Sequence, residues 1–435
     1  MPEALLKADS QYAERFQPRA WSSRILFHHR TQGQGAEGVH IRGMAGGFKN
    51  CGYQVDIIGP PGIDPFAVSV KPETASANNG SHGSLLNRFW HMVSKNTPQV
   101  AFEIMELGYN VYAYKSLRKM LSLYKYDFLY ERYALNNFAS TFLAQRYGIP
   151  LVLEVNDATV IERSRPCALK EMARSIERKV FEKANLLITI THHFKQLILD
   201  QYRQIPEEKI LVLPNAIDPQ RFEIPPSKKL RKEYLGIQAR YVIGCVGAFV
   251  YWHGLDFLLQ SVHDLLEEMD IHVLLVGDGP VRKDLEKLIN VLNIQNRVTI
   301  TGFVDYQDVP RYIELFDIGL MAGSNMHGSP MKIFEYMALG VPPIAADYPP
   351  LREIIRDGED GSLFPPNDTV SLRMKIRELL DDGKMRNRMG RRAKEKVMNQ
   401  FTWLGNAEKL LQKLGKVKAP QKPSGNYQLI PVSKE

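Results

Sequence analysis

Lys332 and Glu335 stand three residues apart in a stretch, residues 323–348, whose pattern suits a ligand site as well as it suits a surface helix. An apolar run at 317–321 reads as a buried strand, and a short polar loop follows it. Ser329 and Pro330 fit an N-cap and a first helical position. Ile333, Phe334 and Met337 give the helix an apolar face, and Gly340 fits a left-handed stop before Val341, Pro342 and Pro343. A lysine about one turn into a helix lies against the positive end of the macrodipole, where acids are favoured. It is explained if an anion sits in front of it. A helix N-terminus at the carboxyl end of a strand, with free backbone N–H groups and a lysine, is phosphate-binding geometry. Glu335 lies on roughly the same face, and a carboxylate there can accept hydrogen bonds from the two hydroxyls of a ribose. A plain i,i+3 Lys–Glu surface pair accounts for the same spacing.

The elements around this stretch alternate between strand and helix. In the first half strands are expected at 24–28, 54–59, 127–131, 150–155, 186–190 and 209–213, and helices at 40–50, 85–94, 100–123, 136–147, 161–184 and 192–200. In the second half strands fall at 241–247, 272–277, 298–302, 317–321, 343–346 and 362–364. Helices there are expected at 255–269, 281–292, 309–315, 351–355, 371–380 and 384–400. Such alternation means parallel sheets covered on both faces, with ligands at the carboxyl ends of strands. In the first half those ends carry His28, His29, Glu131, Arg132, Glu154, Asn156, Asp157, Thr191 and His192. Gly33, Gly35 and Gly38 form a loop before the first helix. Their G-x-G-x-x-G spacing lacks the acidic residue at the next strand's end that a dinucleotide site uses.

The 435 residues are enough for two domains of ordinary size, and 44% hydrophobic with 24% charged residues is a globular composition. Three cysteines, Cys51, Cys167 and Cys245, are odd in number and far apart, which argues against a disulfide framework or a zinc site and for a reducing compartment. No run approaches a membrane span, and the first residues are charged rather than signal-like. A net charge of +8 suits anionic partners such as nucleotides, phospholipids or a membrane surface.

Ser-Pro-Met-Lys-Ile-Phe-Glu-Tyr-Met-Ala-Leu-Gly-Val-Pro, at 329–342, resembles the donor-binding segment of retaining family 4 glycosyltransferases, in the branch with Ser-Pro-x-Lys-x-Phe-Glu-Tyr-Met-Ala. The resemblance runs from about Arg24 to Leu414. It implies an α/β GT-B architecture of two facing Rossmann-like domains with parallel sheets and a deep interdomain cleft. The expected organisation is an extension at 1–20, an acceptor-side domain at 21–220 and a linker at 221–240. A nucleotide-sugar-binding domain follows at 241–400, then a helix returning to the first domain at 401–416 and a tail at 417–435.

The resemblance also implies roles. The donor nucleotide would be held by Gly38, Gly328, Ser329, Pro330, Met331, Lys332 and Glu335, with Gly302, Phe303 and Val304 at the base. Gly38 is equally an ordinary turn glycine. Lys332, His327 and His253 are the catalytic candidates; Glu131, Arg132, Asn156, Asp157 and His192 lie on the acceptor side. Family members carry two glutamates flanking seven residues; Glu335 matches the second, but His327 stands where the first would be. The usual Arg and Lys of the loop at 247–254 are replaced by Ala248 and His253. Charge neutralisation therefore falls on Lys332, the helix terminus and His253, unless His253 only bonds its own loop. Aromatics at Phe89, Trp90, Phe102, Tyr109, Tyr112 and Tyr114 serve either the core or an acceptor- or membrane-facing surface.

The expected activity is metal-independent transfer of a sugar from a nucleotide-diphosphate sugar to a glycan or lipid-linked acceptor, with no prosthetic group and no nucleic acid. The setting would be polysaccharide or glycolipid assembly, in the cytoplasm or peripheral on the inner face of a membrane. A nucleotide-sugar epimerase, an inactive nucleotide-sugar-binding subunit and a dinucleotide oxidoreductase are the alternatives.

Overall fold

The computed structural model describes residues 23–33, 35–66, 99–161, 167–224 and 232–415. The expected helix at 85–94, with Phe89 and Trp90, and the terminal segments 1–20 and 417–435 lie outside them. By internal contacts the chain forms two units. The first comprises Met1–Ile190, Phe194–Leu213 and Asn406–Glu435; the second comprises Thr191–His193 and Pro214–Gly405.

The first unit runs β1 (Arg24–His28), α1 (Gly35–Asn50), β2 (Gln54–Ile58), α2 (Gln99–Leu123), β3 (Phe128–Tyr133), α3 (Ala139–Tyr147), β4 (Leu151–Val155), α4 (Lys170–Lys183), β5 (Leu186–Thr189), α5 (His192–Gln201) and β6 (Ile210–Val212). The second runs β7 (Tyr241–Val246), α6 (Leu255–Glu268), β8 (Ile271–Val276), α7 (Arg282–Val291), β9 (Val298–Ile300), α8 (Val309–Ile313), β10 (Ile318–Met321), α9 (Met331–Ala338), β11 (Pro343–Ala346), α10 (Pro349–Arg352), β12 (Ser362–Phe364), α11 (Thr369–Asp381) and α12 (Gly383–Gln400). A last helix, α13 (Trp403–Lys413), follows.

Each unit holds one parallel six-stranded sheet, in the orders β2-β1-β3-β4-β5-β6 and β12-β11-β10-β7-β8-β9. The strands are apolar almost throughout because both faces are covered. In β8, Val273 and Leu275 join the apolar cluster on one face while Leu274 and Val276 join the cluster on the other. That is the period of two expected for a doubly covered strand.

Of the boundaries that differ from the sequence expectation, three have a clear local reason. Helix α1 starts at Gly35 rather than at 40, so Gly38 sits inside its first turns. A Cβ on Gly38 would lie 2.0 Å from the Gly33 carbonyl oxygen, so only glycine lets the loop fold back on the helix there. Helix α4 starts at Lys170 rather than 161, because buried Glu103 accepts the backbone N–H groups of Ala168 at 2.6 Å and Leu169 at 2.8 Å and holds that approach as a loop. The stretch read as a linker from 221 begins instead inside a 3-10 turn, Pro219–Phe222, capped by the Asp218 side chain on Gln220 N.

Candidate functional site

Helix α9 is pinned to its sheet by Tyr336. Gly319 of β10 leaves room for the ring, since a Cβ there would come within 2.4 Å of it. The buried Tyr336 hydroxyl donates to Leu320 O at 3.4 Å and accepts from Val246 N at 3.0 Å, tying the helix to β10 and β7. Ile333, Phe334 and Met337 are wholly buried, and Gly340 has a φ of 73°, the left-handed stop read from the sequence.

The N-terminus of this eight-residue helix has no side-chain cap. Pro330 takes the N-cap position, and Ser329 is drawn aside: its Oγ accepts from Asn215 N at 3.1 Å and its carbonyl accepts from the Asn215 side-chain amide. That corrects the expected Ser329 cap and leaves first-turn N–H groups for another acceptor. Lys332 is only 7% exposed and Glu335 only 4%, so they are not a surface pair. The Lys332 ammonium contacts Cys245 Sγ at 3.8 Å and lies 3.5 Å from His253 Nδ1; among the described residues it has no carboxylate partner. Gly247, with a φ of 121°, leaves open the space beside it: a Cβ there would sit 3.6 Å from Lys332 Nζ.

His253 Nδ1 is 2.7 Å from the Ala248 carbonyl, which can only accept, so this nitrogen carries the proton and Nε2 holds the lone pair. Burial, then the Lys332 charge, lowers the His253 pKa to about 4. His253 is therefore neutral near pH 7 in this structure, and it bonds its own loop, the alternative the sequence left open. Its loop is fitted to the β10 loop at Gly323, where a Cβ would lie 2.6 Å from Trp252 O. In the β10 loop His327 is half-buried, its carbonyl accepting from Thr191 Oγ1 at 3.3 Å, and Asn325 Oδ1 accepts Gly328 N at 2.6 Å.

Glu335 pairs with Arg221 rather than Lys332. Arg221 Nη1 donates to Glu335 Oε1 at 3.0 Å, Nη2 donates to Tyr306 O, and the guanidinium stacks 3.2 Å from the Tyr306 ring centroid. Glu335 Oε2 has no hydrogen-bond partner among the described residues. Past β9, Gly302 (φ 72°) bridges Gly277, Val304 packs on the core and Phe303 stays 46% exposed.

At the carboxyl edge of the first sheet the carboxylates Glu131 and Glu154 are bonded by their neighbours, while buried His29 Nε2 and Asn137 Oδ1 have no hydrogen-bond partner among the described residues. Glu131, expected at the acceptor side, is 1% exposed and fully engaged: Oε2 lies 3.2 Å from His28 Nδ1 and Oε1 accepts from Asn137 Nδ2 at 2.9 Å. His28 Nε2 meets the Tyr109 hydroxyl at 3.1 Å, so Tyr109 serves this network; Tyr112 donates to Gly59 O at 3.1 Å. Arg132, Asn156 and Tyr130 all donate to buried Glu154, and His40 Nδ1 lies 3.3 Å from it. Burial alone would raise the Glu154 carboxyl, but His40, Arg132, Tyr130 and Asn156 hold it below the usual carboxylate value. Asp157 follows, half-buried. His192 is exposed and groups with the second unit; its backbone N–H, with that of His193, donates to Glu353 at 2.9 and 3.1 Å.

Residues 37–221 match the family model described as Glycosyltransferase Family 4, and residues 227–396 match Glycosyl transferases group 1. The chain is family 4-like, of GT-B fold. Alpha-D-kanosaminyltransferase of Streptomyces kanamyceticus is 28% identical over 57% of this chain and 65% of that relative, just under two thirds of its length. N-acetyl-alpha-D-glucosaminyl L-malate synthase of Bacillus anthracis is 27% identical over 63% of this chain and 71% of that one. Among solved structures, Anabaena HepE in complex with UDP superposes with a TM-score of 0.67 at 17% identity, covering 90% of this chain and 99% of HepE. A glycosyltransferase from Rickettsia africae reaches 0.69 at 17% identity, covering 91% and 99%. GT-B glycosyltransferases use nucleotide-sugar donors and carry no prosthetic group.

Of the donor residues expected in this GT-B chain, the second unit gathers Gly328, Ser329, Pro330, Met331, Lys332 and Glu335 at one helix end, with Gly302, Phe303 and Val304 past β9. Gly38 belongs to the first unit. Sequence reasoning missed Arg221, Tyr306 and Asn215. The pair Asp218-Pro219, an N-cap followed by a first-turn proline, was the signal that the chain near Arg221 is ordered. Among the described residues no cluster of three or more His, Cys, Asp or Glu side chains is disposed to hold a metal ion, and no helix is long and apolar enough to cross a membrane.

Proposed function

We propose that the chain is a retaining glycosyltransferase moving a sugar from a nucleotide-diphosphate sugar to a glycan or lipid-linked acceptor. The observation that carries this reading is the Lys332 ammonium, buried behind an uncapped helix N-terminus with no carboxylate partner among the described residues. An unpaired buried cation is costly, and a diphosphate in front of α9 supplies the missing anion. Glu335 Oε2 faces the ribose in this reading, and UDP in HepE supports the ligand class. As the bond from the sugar's anomeric carbon to the phosphate oxygen breaks, charge grows on the diphosphate and Lys332 meets it. The acceptor hydroxyl attacks from the same face, its oxygen bonds to that carbon and its proton passes to the departing phosphate. Arg132, Asn156 and Asp157 line the acceptor side, and polysaccharide or glycolipid assembly in the cytoplasm, at a membrane surface, is the setting we assign.

Lys332→Met tests it. The protein should stay folded, with stability unchanged or slightly raised, while transfer measured by mass spectrometry under saturating donor falls by roughly 100-fold, the scale for one lost charge-stabilising group. A folded variant with near-full rate would overturn the assignment. Wild-type protein that binds nucleotide-sugar but yields no product with any acceptor would instead be a binding subunit.

A further inference from the structure

We infer that Arg221 is a positioning residue that sets ribose recognition by occupying one oxygen of Glu335 and turning the other toward the ligand. This rests on the ribose role proposed for Glu335. Residues 214–222, where the chain enters the second unit, form a strap over the start of α9. Asn215 binds both polar groups of Ser329 at one end, and Arg221 binds Glu335 at the other. Between them Ile217 is fixed on both sides, its N–H donating to Phe401 O at 2.9 Å and its carbonyl accepting Trp403 N at 3.1 Å.

Arg221 itself is held in three ways: the Tyr306 carbonyl takes Nη2, the Tyr306 ring lies under the guanidinium, and Nη1 reaches Glu335 Oε1. A planar fork so constrained fixes the plane of the carboxylate it bonds. Arg221 takes one lone pair of Oε1 and holds the carboxylate in one plane, with Oε2 bonded to no described residue. A carboxylate held in a fixed plane can meet both hydroxyls of a cis-diol at once, and loses one of those bonds with a 2′- or 3′-deoxyribose; a carboxylate free to turn gives up that advantage. The ligand class that follows is a ribonucleoside diphosphate carrying both hydroxyls.

The test measures binding of UDP, GDP and their 2′-deoxy counterparts by calorimetry to wild type, Arg221→Gln, Arg221→Lys and Glu335→Gln. Wild type should prefer the ribose form by about tenfold or more, the scale of one hydrogen bond to a charged group. Arg221→Gln should bring that ratio close to one with little effect on the deoxy form. Arg221→Lys keeps a charge beside Glu335 and the fold intact, and should restore part of the preference, because one ammonium cannot reproduce the fork. If ribose and deoxyribose forms weaken equally in both Arg221 variants, Arg221 is merely structural and the inference fails. If wild type discriminates, Glu335→Gln abolishes it and the Arg221 variants retain it, the role of Arg221 fails alone. If wild type does not discriminate, or Glu335→Gln leaves its preference intact, the ribose assignment falls and this inference with it.

Discussion

At the carboxyl edge of the first sheet Glu131 and Glu154 have both oxygens bonded, by His28, Asn137, Arg132, Tyr130 and Asn156. At the same edge of the second sheet Lys332 has no anion among the described residues and Glu335 is bonded through one oxygen. Both sheets are six parallel strands, though the chain crosses back after two strands in the first (β2 to β3) and after three in the second (β9 to β10); the contrast at their edges lies in the side chains each edge carries. Charge that is closed on itself stabilises a shape. Charge left open is a place for an anionic substrate, and that contrast is why the function proposed above assigns donor binding to the second unit.

The largest effect should come from opening the closed edge. Arg132→Met leaves Glu154 buried without its guanidinium, and breaking a buried pair by removing one partner costs about 3–5 kcal/mol. Tyr130 and Asn156 remain to bond Glu154, which favours the lower end. Urea unfolding, followed with hydrogen exchange to separate the two units, should show the loss confined to the first. A change within ~0.5 kcal/mol, the range of ordinary surface substitutions, would mean the Glu154 cluster is not the closed network described.

Acid should destabilise both units, through buried histidines before depressed carboxylates such as Glu154 take up protons. In the first unit burial lowers His29 to about 3 and His40 to about 4; in the second it lowers His253 and His272 to about 4. A histidine depressed in the folded state takes up its proton more readily when unfolded. The stability it contributes is therefore complete above the unfolded value near 6.5, and is lost as pH falls toward 4. Each shift corresponds to roughly 1–3 kcal/mol after allowing for partial solvent access. The melting temperature should fall steadily between pH 6.5 and 4, and His40→Gln should flatten that fall in the first unit. A melting temperature flat across the window would show these rings to be solvated.

The strand and helix order, the buried face of α9 and the Gly340 stop were legible because each rests on local periodicity or one backbone angle. The anomalous Lys332 was legible too, since it conflicts with the dipole at a position set by sequence alone. What escaped were partners brought in from afar. Arg221 is 114 residues from Glu335, and its region is polar enough to read as linker. Ser329 looked like a cap because its type and place were right; Asn215, also 114 residues away, outcompeted the helix for its hydroxyl. Glu131 looked like an acceptor contact because strand ends are where ligands bind, yet the chain itself supplied Asn137 and His28 to fill both oxygens. Sequence exposes an unmet charge more readily than the distant group that meets it.

The smallest expected effect bears on whether the open edge needs help from a metal. Two features place positive character in front of a diphosphate at the second sheet: the Lys332 ammonium and the uncapped N–H groups of α9. A helix end is worth about half an elementary charge, which adds to the full charge of the lysine ammonium. Lys332 is also fixed before substrate arrives, by Cys245 behind it and by the Tyr336 anchor of its helix, so little reorganisation is needed as charge develops. Transfer by wild-type protein treated with EDTA should therefore match the untreated rate within about twofold. The Lys332→Met variant sharpens the comparison: added magnesium or manganese should not rescue it, because in the proposed site the buried ammonium, and not a metal ion, meets the phosphates. Activity that vanishes with chelator and returns with either ion would mean that the open edge is completed by a cation rather than by Lys332.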